Sequence, residues 1–146
     1  MSGAPTNSIY TYTFTVPESA IDENGHVNNV VYVQWMQDAA VRHFNALGGE
    51  APMREHHATW VVHEHRIQYL NPAFAGEEIE VRTWIADVRR VRSLRKYEFL
   101  SKKNGGILVR GETDWVFVDA GDGRPKAIPE SVTAVFPPLT ENPDHT

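Results

Sequence analysis

The sequence contains no cysteine. That excludes disulfides, a thiolate nucleophile and thiolate-ligated metal, and it agrees with a cytoplasmic protein. No apolar run approaches the ~20 residues of a membrane span. Met1-Ser2-Gly3-Ala4 also lacks the basic start and apolar stretch of a secretion signal. The expectation is a cytoplasmic chain without a membrane partner. A positive charge excess is missing as well: 14 Lys and Arg face 19 Asp and Glu, for a net charge of −5. This balance argues against general nucleic-acid binding while leaving room for a local basic patch. Repeats and low-complexity segments are absent.

What is present suffices for one domain. With 146 residues, a 41% hydrophobic fraction and four tryptophans, the chain supports a single core over residues 1–146. Residues 1–8 and 137–146 are expected to be flexible tails. From Ile9 to Val16, Tyr10, Tyr12, Phe14 and Val16 alternate with three threonines, the pattern of a half-buried strand. Pro17 to Gly25 reads as a loop. Asn28 or Asn29 can cap a helix that runs to about Leu47, where Gly48-Gly49 stops it. Tyr32, Trp35 or Met36, Ala39, His43 and Leu47 recur at helical spacing, and Val31, Ala40 and Phe44 widen the apolar face, which predicts a helix buried on most sides. Trp60–Leu70, Glu77–Val88, Ser93–Lys102 and Ile107–Val118 read as long strands. Lys103-Asn104-Gly105-Gly106 marks a hairpin between the last two, and Asp119 to Lys126 reads as a turn-rich connection. The order predicts an α+β fold, an antiparallel sheet of five to six strands wrapped around one long central helix.

The segment Asp22-Glu23-Asn24-Gly25-His26-Val27-Asn28-Asn29-Val30-Val31-Tyr32 carries the densest chemistry. It places a carboxylate, an amide and an imidazole just ahead of a helix N-terminus, where free backbone N–H groups and the positive end of the macrodipole converge. Such a place can stabilise an oxyanion and aim a carboxylate at an electrophile. The plainer alternative for Asp22 is a turn cap. Asn24 and His26 either contact substrate or stiffen the loop, Asn28 has the plainer reading of a helix cap, and Gly25 permits either a positive φ or the close approach of a bound group.

This motif resembles the hotdog-fold thioesterases of the 4-hydroxybenzoyl-CoA thioesterase type and the related acyl-carrier-protein thioesterases, through Asp22, Asn24, His26, Val27, Asn28 and Asn29. Two further blocks reinforce it, Tyr69-Leu70-Asn71-Pro72-Ala73-Phe74-Ala75-Gly76-Glu77 and Val116-Phe117-Val118-Asp119 with Arg124-Pro125 and Ile128-Pro129. Together they cover roughly Tyr10 to Val135. The resemblance implies hydrolysis of an acyl thioester, with Asp22 as nucleophile or general base and the backbone near Asn29 polarising the carbonyl. Asn24 and His26 match positions that orient thioester and water in the plant relatives. Those relatives have an acid after the second strand, where this chain reads Asn71-Pro72-Ala73; Asp22 then works alone or with a histidine. The substrate is an acyl-CoA, or alternatively an acyl-carrier-protein thioester, and no separate cofactor is implied. A homodimer, further paired into a dimer of dimers, is expected. Two other readings stay open, a hotdog hydratase or dehydratase and a non-catalytic acyl-thioester binding module.

Several remaining residues invite sharper readings. Strand alternation puts His63 and His65 on one face with Val61, Ile67 and Tyr69, while Glu64 points away. With no third ligand at a useful spacing beside them or near His56 and His57, a metal site is not expected. His63 is instead a candidate to assist proton transfer. Arg89, Arg90, Arg92, Arg95 and Lys96 form the one dense basic cluster. It is either a charged edge that discourages strand pairing between molecules or, with Arg89, Arg90, Arg92 and Ser93 foremost, the cradle for coenzyme A and its phosphates. Trp35, Trp60, Trp84 and Trp115 read as core or subunit-interface residues, with one or two of them able to line an acyl pocket.

Overall fold

The computed structural model describes residues 9–139. Strand β1 (Ile9–Thr15) has its three threonines exposed and Tyr12 and Phe14 packed on the core, as the alternation requires. It leads through a 3-10 turn (Glu18–Ala20) and the Asp22 loop into helix α1 (Asn29–Ala46). Asn28 is the N-cap, its side-chain oxygen accepting from the Val30 N–H at 2.8 Å. At the other end Gly48 takes φ +68° and ends the helix where the glycine pair predicts.

A short helix α2 (Glu50–Glu55) follows, then strands β2 (Ala58–Tyr69), β3 (Glu78–Val88), β4 (Arg92–Ser101) and β5 (Ile107–Asp119), and helix α3 (Glu130–Val135). The two short helices escape a periodicity reading because six residues are too few to repeat an apolar face. The five strands form one sheet in the order β1-β3-β4-β5-β2, and every neighbouring pair is antiparallel. The expected tail begins inside the described region: Leu139 N–H donates to the Ile85 carbonyl at 2.7 Å, so its start is pinned to β3. The other tail residues, 1–8 and 140–146, lie outside the described residues.

Helix α1 lies across one face of the sheet. Tyr32, Met36, Ala39, Ala40 and His43 are buried there, with Phe14 against Trp35 and Tyr32 against Phe99, edge to face at 4.7 and 5.3 Å. Met36 presses on Gly111 so closely that a Cβ at that glycine would lie 2.7 Å from the Met36 sulfur. The expectation of a helix buried on most sides needs correction. Gln34, Gln37, Asp38, Arg42 and Asn45 are exposed, and so are Val30 and Val41. Five strands curl over one side of an 18-residue helix and leave its opposite side uncovered among the described residues.

The alternation read along β2 also changes. Val62 pairs with Trp115 but Glu64 pairs with Asp114, so His63 is the extra residue of a β-bulge. The bulge switches parity. Trp60 and Val62 share the helix-facing side with His65, Ile67 and Tyr69, and Val61 lies on the other face.

Candidate active site

The Asp22 loop is a tight hairpin closed by a bridge between Ile21 and Val27. Asp22 N–H donates to the His26 carbonyl at 3.1 Å, and Gly25 N–H to the Asp22 carbonyl at 3.0 Å. One carboxylate oxygen of Asp22 accepts from the Asn24 N–H at 2.9 Å, which holds the side chain in a fixed rotamer. Its second oxygen makes no hydrogen bond among the described residues. The turn-cap reading thus accounts for one oxygen of the carboxylate and leaves the other available. Gly25 has φ +83° with nothing within 4 Å of a built Cβ, so backbone conformation alone calls for glycine here.

Two sequence blocks meet at this loop. Val27 N–H donates to the Ala73 carbonyl, and Asn28 N–H to the Ala20 carbonyl, both at 2.9 Å. Ala73 is buried against the loop, and the His26 ring lies edge to face with Phe74 at 6.4 Å. At the helix start the Val30 N–H goes to the Asn28 side chain and the Val31 N–H to the Asn28 carbonyl. The Asn29 N–H has no partner among the described residues. It is an available donor at the positive end of an 18-residue helix. The Tyr69 hydroxyl donates to the Asn29 carbonyl at 2.9 Å. Burial raises the Tyr69 pKa above the ordinary phenol value, so its proton stays in place for that bond. The side chain of Asn24 is exposed, and that of His26 half-buried.

The other predicted site residues lie elsewhere in the chain. His63 is exposed at the β2 bulge. Tyr69 pairs with Val109 and Ser93 with Trp115; those β5 residues are about 20 Å apart along the strand. Neither His63 nor Ser93 therefore reaches Asp22 within one chain. Arg89 pairs with Asp87 at 2.9 Å and Arg92 with Asp114 at 2.8 Å, on the sheet face away from α1, and Arg90 is exposed nearby. Ser93 is buried on the helix side instead, as is Arg95. The basic cluster is thus split by strand alternation between two faces. His65, rather than His63, makes an inward contact, to the Thr113 hydroxyl at 2.9 Å, and His56 bonds Ser131 at 3.1 Å.

Sequence reasoning missed the part of Tyr69 in fixing the helix start and that of Ala73 in holding the loop. Both stand in the quoted block that begins at the end of β2, but a hydrogen bond between distant segments of the chain leaves no periodic signal.

Similar chain traces occur in proteins of low sequence identity. A 1,4-dihydroxy-2-naphthoyl-CoA thioesterase from Synechocystis superposes with a TM-score of 0.77 at 18% identity, covering 88% of this chain and 96% of that one. The Staphylococcus aureus protein SAV2348, solved in complex with CoA, has a TM-score of 0.81 at 20% identity, covering 99% and 95%. The 12:0-ACP thioesterase from Umbellularia californica has a TM-score of 0.77 at 21% identity, covering 86% of this chain and 48% of that longer one. No curated protein matches in sequence. The shared fold is the hotdog fold, in its α+β form with an antiparallel five-stranded sheet. A sequence model of the thioesterase-like superfamily matches residues 16–136, from the end of β1 through α3, and the chain belongs to that superfamily.

Proposed function

We propose that this protein hydrolyses an acyl-CoA thioester to the free acid and coenzyme A. The observation that carries the reading is the Asp22 carboxylate oxygen left without a partner on the loop that leads to the unpartnered Asn29 N–H of α1. The carbonyl oxygen of the thioester accepts from the Asn29 N–H. As the carbonyl carbon becomes tetrahedral, its negative charge develops where that donor and the helix dipole are fixed. Asp22 either takes the proton of an attacking water or attacks directly, forming a mixed anhydride that water then opens. In both routes the C–S bond breaks, the thiolate leaves as the thiol, and water supplies the acid oxygen. Asn24 and His26 organise the loop, and its hairpin hydrogen bonds support that part. His63 would have to act from another subunit, because the bulge is remote from Asp22 within one chain.

A homodimer, and a dimer of such dimers, belongs to this reading. β2 is a 12-residue edge strand with Val61 and Val62 exposed, and Val41, Leu70 and Phe74 are exposed as well. An edge left unpaired among the described residues, with this much apolar surface, favours pairing with a second copy. Arg89 and Arg92 would meet the coenzyme's phosphates by exchanging Asp87 and Asp114 for phosphate oxygens, with the exposed Arg90 beside them.

The test is thiol release from aromatic and straight-chain acyl-CoA esters, with matching acyl-carrier-protein thioesters beside them. Release of one thiol per acid formed supports hydrolysis. Tight binding of every ester without release would replace the enzyme with a binding module, and a modified acyl chain on an intact thioester would indicate a hydratase.

A further inference from the structure

A separate cavity of about 750 Å³ opens between the C-terminal half of α1, α2 and the adjoining ends of β2, β4 and β5. Its walls include Phe44, Met53, Trp60, Trp115 and Phe136, and the Asp22 loop does not line it. Set into this apolar surface are Ser93 and Arg95, each 5% exposed.

Arg95 is the unusual feature. Its Nη1 donates to His43 Nδ1 and to the Thr83 hydroxyl, both at 3.0 Å. A guanidinium has only donors, so His43 Nδ1 must accept, and the ring carries its proton on Nε2. The other groups around Arg95 are the Tyr97 phenol, which feels its charge, and Thr113 and Trp115 beside that phenol. No carboxylate lies within ion-pairing distance of Arg95 among the described residues. Glu50 at the cavity rim pairs with Arg54 at 3.1 Å, with both side chains largely in solvent. Nε and Nη2 of Arg95 have no partner among the described residues, yet neither is sealed in the core as Trp84 Nε1 and the Tyr32 hydroxyl are. A desolvated cation without a counter-ion is costly, and a planar fork of free N–H donors matches a carboxylate.

We infer that this cavity is a binding site for an apolar carboxylate, whose body packs between Trp60, Trp115 and Phe44 and whose two oxygens accept from Nε and Nη2 of Arg95. The same chemistry arises from a free organic acid or from the far end of an acyl group that carries a second carboxylate.

Binding is read without turnover, so failure here is distinct from failure of the hydrolase reading. The full-length protein is titrated with 2-naphthoate and with 2-naphthamide, following tryptophan fluorescence and heat. Naphthoate is expected to bind at least about 10-fold more tightly than the amide, the scale of a lost hydrogen bond to a charged group. Arg95→Met should abolish that preference; because it removes an unpaired buried charge, its thermal midpoint should equal or exceed that of the wild type. Equal affinity for acid and amide in the wild type, or no binding of either, overturns the inference whether or not the variant folds. An acid preference that survives in a folded Arg95→Met also overturns it. With the preference established, adipoyl-CoA is compared with hexanoyl-CoA. A Kd advantage for the dicarboxylic thioester that is lost in Arg95→Met assigns the site to the acyl terminus, and its absence assigns it to free acids.

Discussion

The Tyr69 hydroxyl donates to the Asn29 carbonyl at 2.9 Å and ties the last residue of β2 to the first of α1. Asn29, whose N–H is the proposed donor to the substrate carbonyl, is thereby held from its other side by the sheet. Tyr69→Phe removes this one bond. Urea unfolding should show a loss of about 1 kcal/mol, and kcat should fall several-fold as the donor loses its fixed position. An unchanged kcat would mean that Asn29 needs no such anchor.

Asn28 separates capping from catalysis. Asn28→Ala loses the bond to the Val30 N–H and should cost about 0.5–2 kcal/mol in thermal or urea unfolding. Asn28→Asp keeps the cap and adds a charge that suits a helix N-terminus, so stability should hold. Its turnover should drop all the same, because a second carboxylate beside the proposed oxyanion site opposes the developing charge.

Contact between α1 and the sheet depends on a missing side chain. A Cβ at Gly111 would sit 2.7 Å from the Met36 sulfur and 3.0 Å from its terminal carbon. Gly111→Ala should cost about 1–3 kcal/mol by overpacking, and Met36→Ala about 2–5 kcal/mol by leaving a void. The double variant should cost less than the sum, since the added methyl enters the space vacated by Met36. Strict additivity in a double-mutant cycle would show that the two positions do not press on one another.

His65 predicts a pH dependence of stability. Burial lowers its pKa below the ordinary 6.5. As pH falls through about 6.5, the unfolded chain takes up a proton that the folded chain refuses. The stability contributed by the neutral ring is therefore present above that pH and is lost as pH falls through the folded value. Urea midpoints measured between about pH 7 and pH 5 should decline more steeply for the wild type than for His65→Gln. Equal slopes would remove His65 as a source of acid sensitivity.

Much of this architecture is legible in the sequence because it rests on local signals. Threonine alternation gives β1, Asn28 and Gly48 bound α1, and Asn104-Gly105 turns the last hairpin; each acts within a few residues. The Asp22 loop is legible for the same reason, since Asp22, Asn24 and Gly25 build their own turn. What depends on contacts between distant segments is not. The bulge at His63 reverses the face of every β2 residue before it relative to those after, and no residue type announces it. Arg95 reads like its neighbours Arg92 and Lys96 until strand parity turns it inward. The uncovered side of α1 follows from the reach of five strands, which composition does not state.

The most direct test of the central claim is single-turnover thiol release by Asp22→Asn, with the best acyl-CoA ester and saturating enzyme. Asparagine keeps an oxygen to accept from the Asn24 N–H, so the loop and ester binding should survive. The account predicts a loss of at least about 10²-fold in the chemical step, as for removal of a catalytic base, with the Kd for the ester little changed. A variant that binds the ester and retains most of the wild-type rate would contradict the role assigned to Asp22.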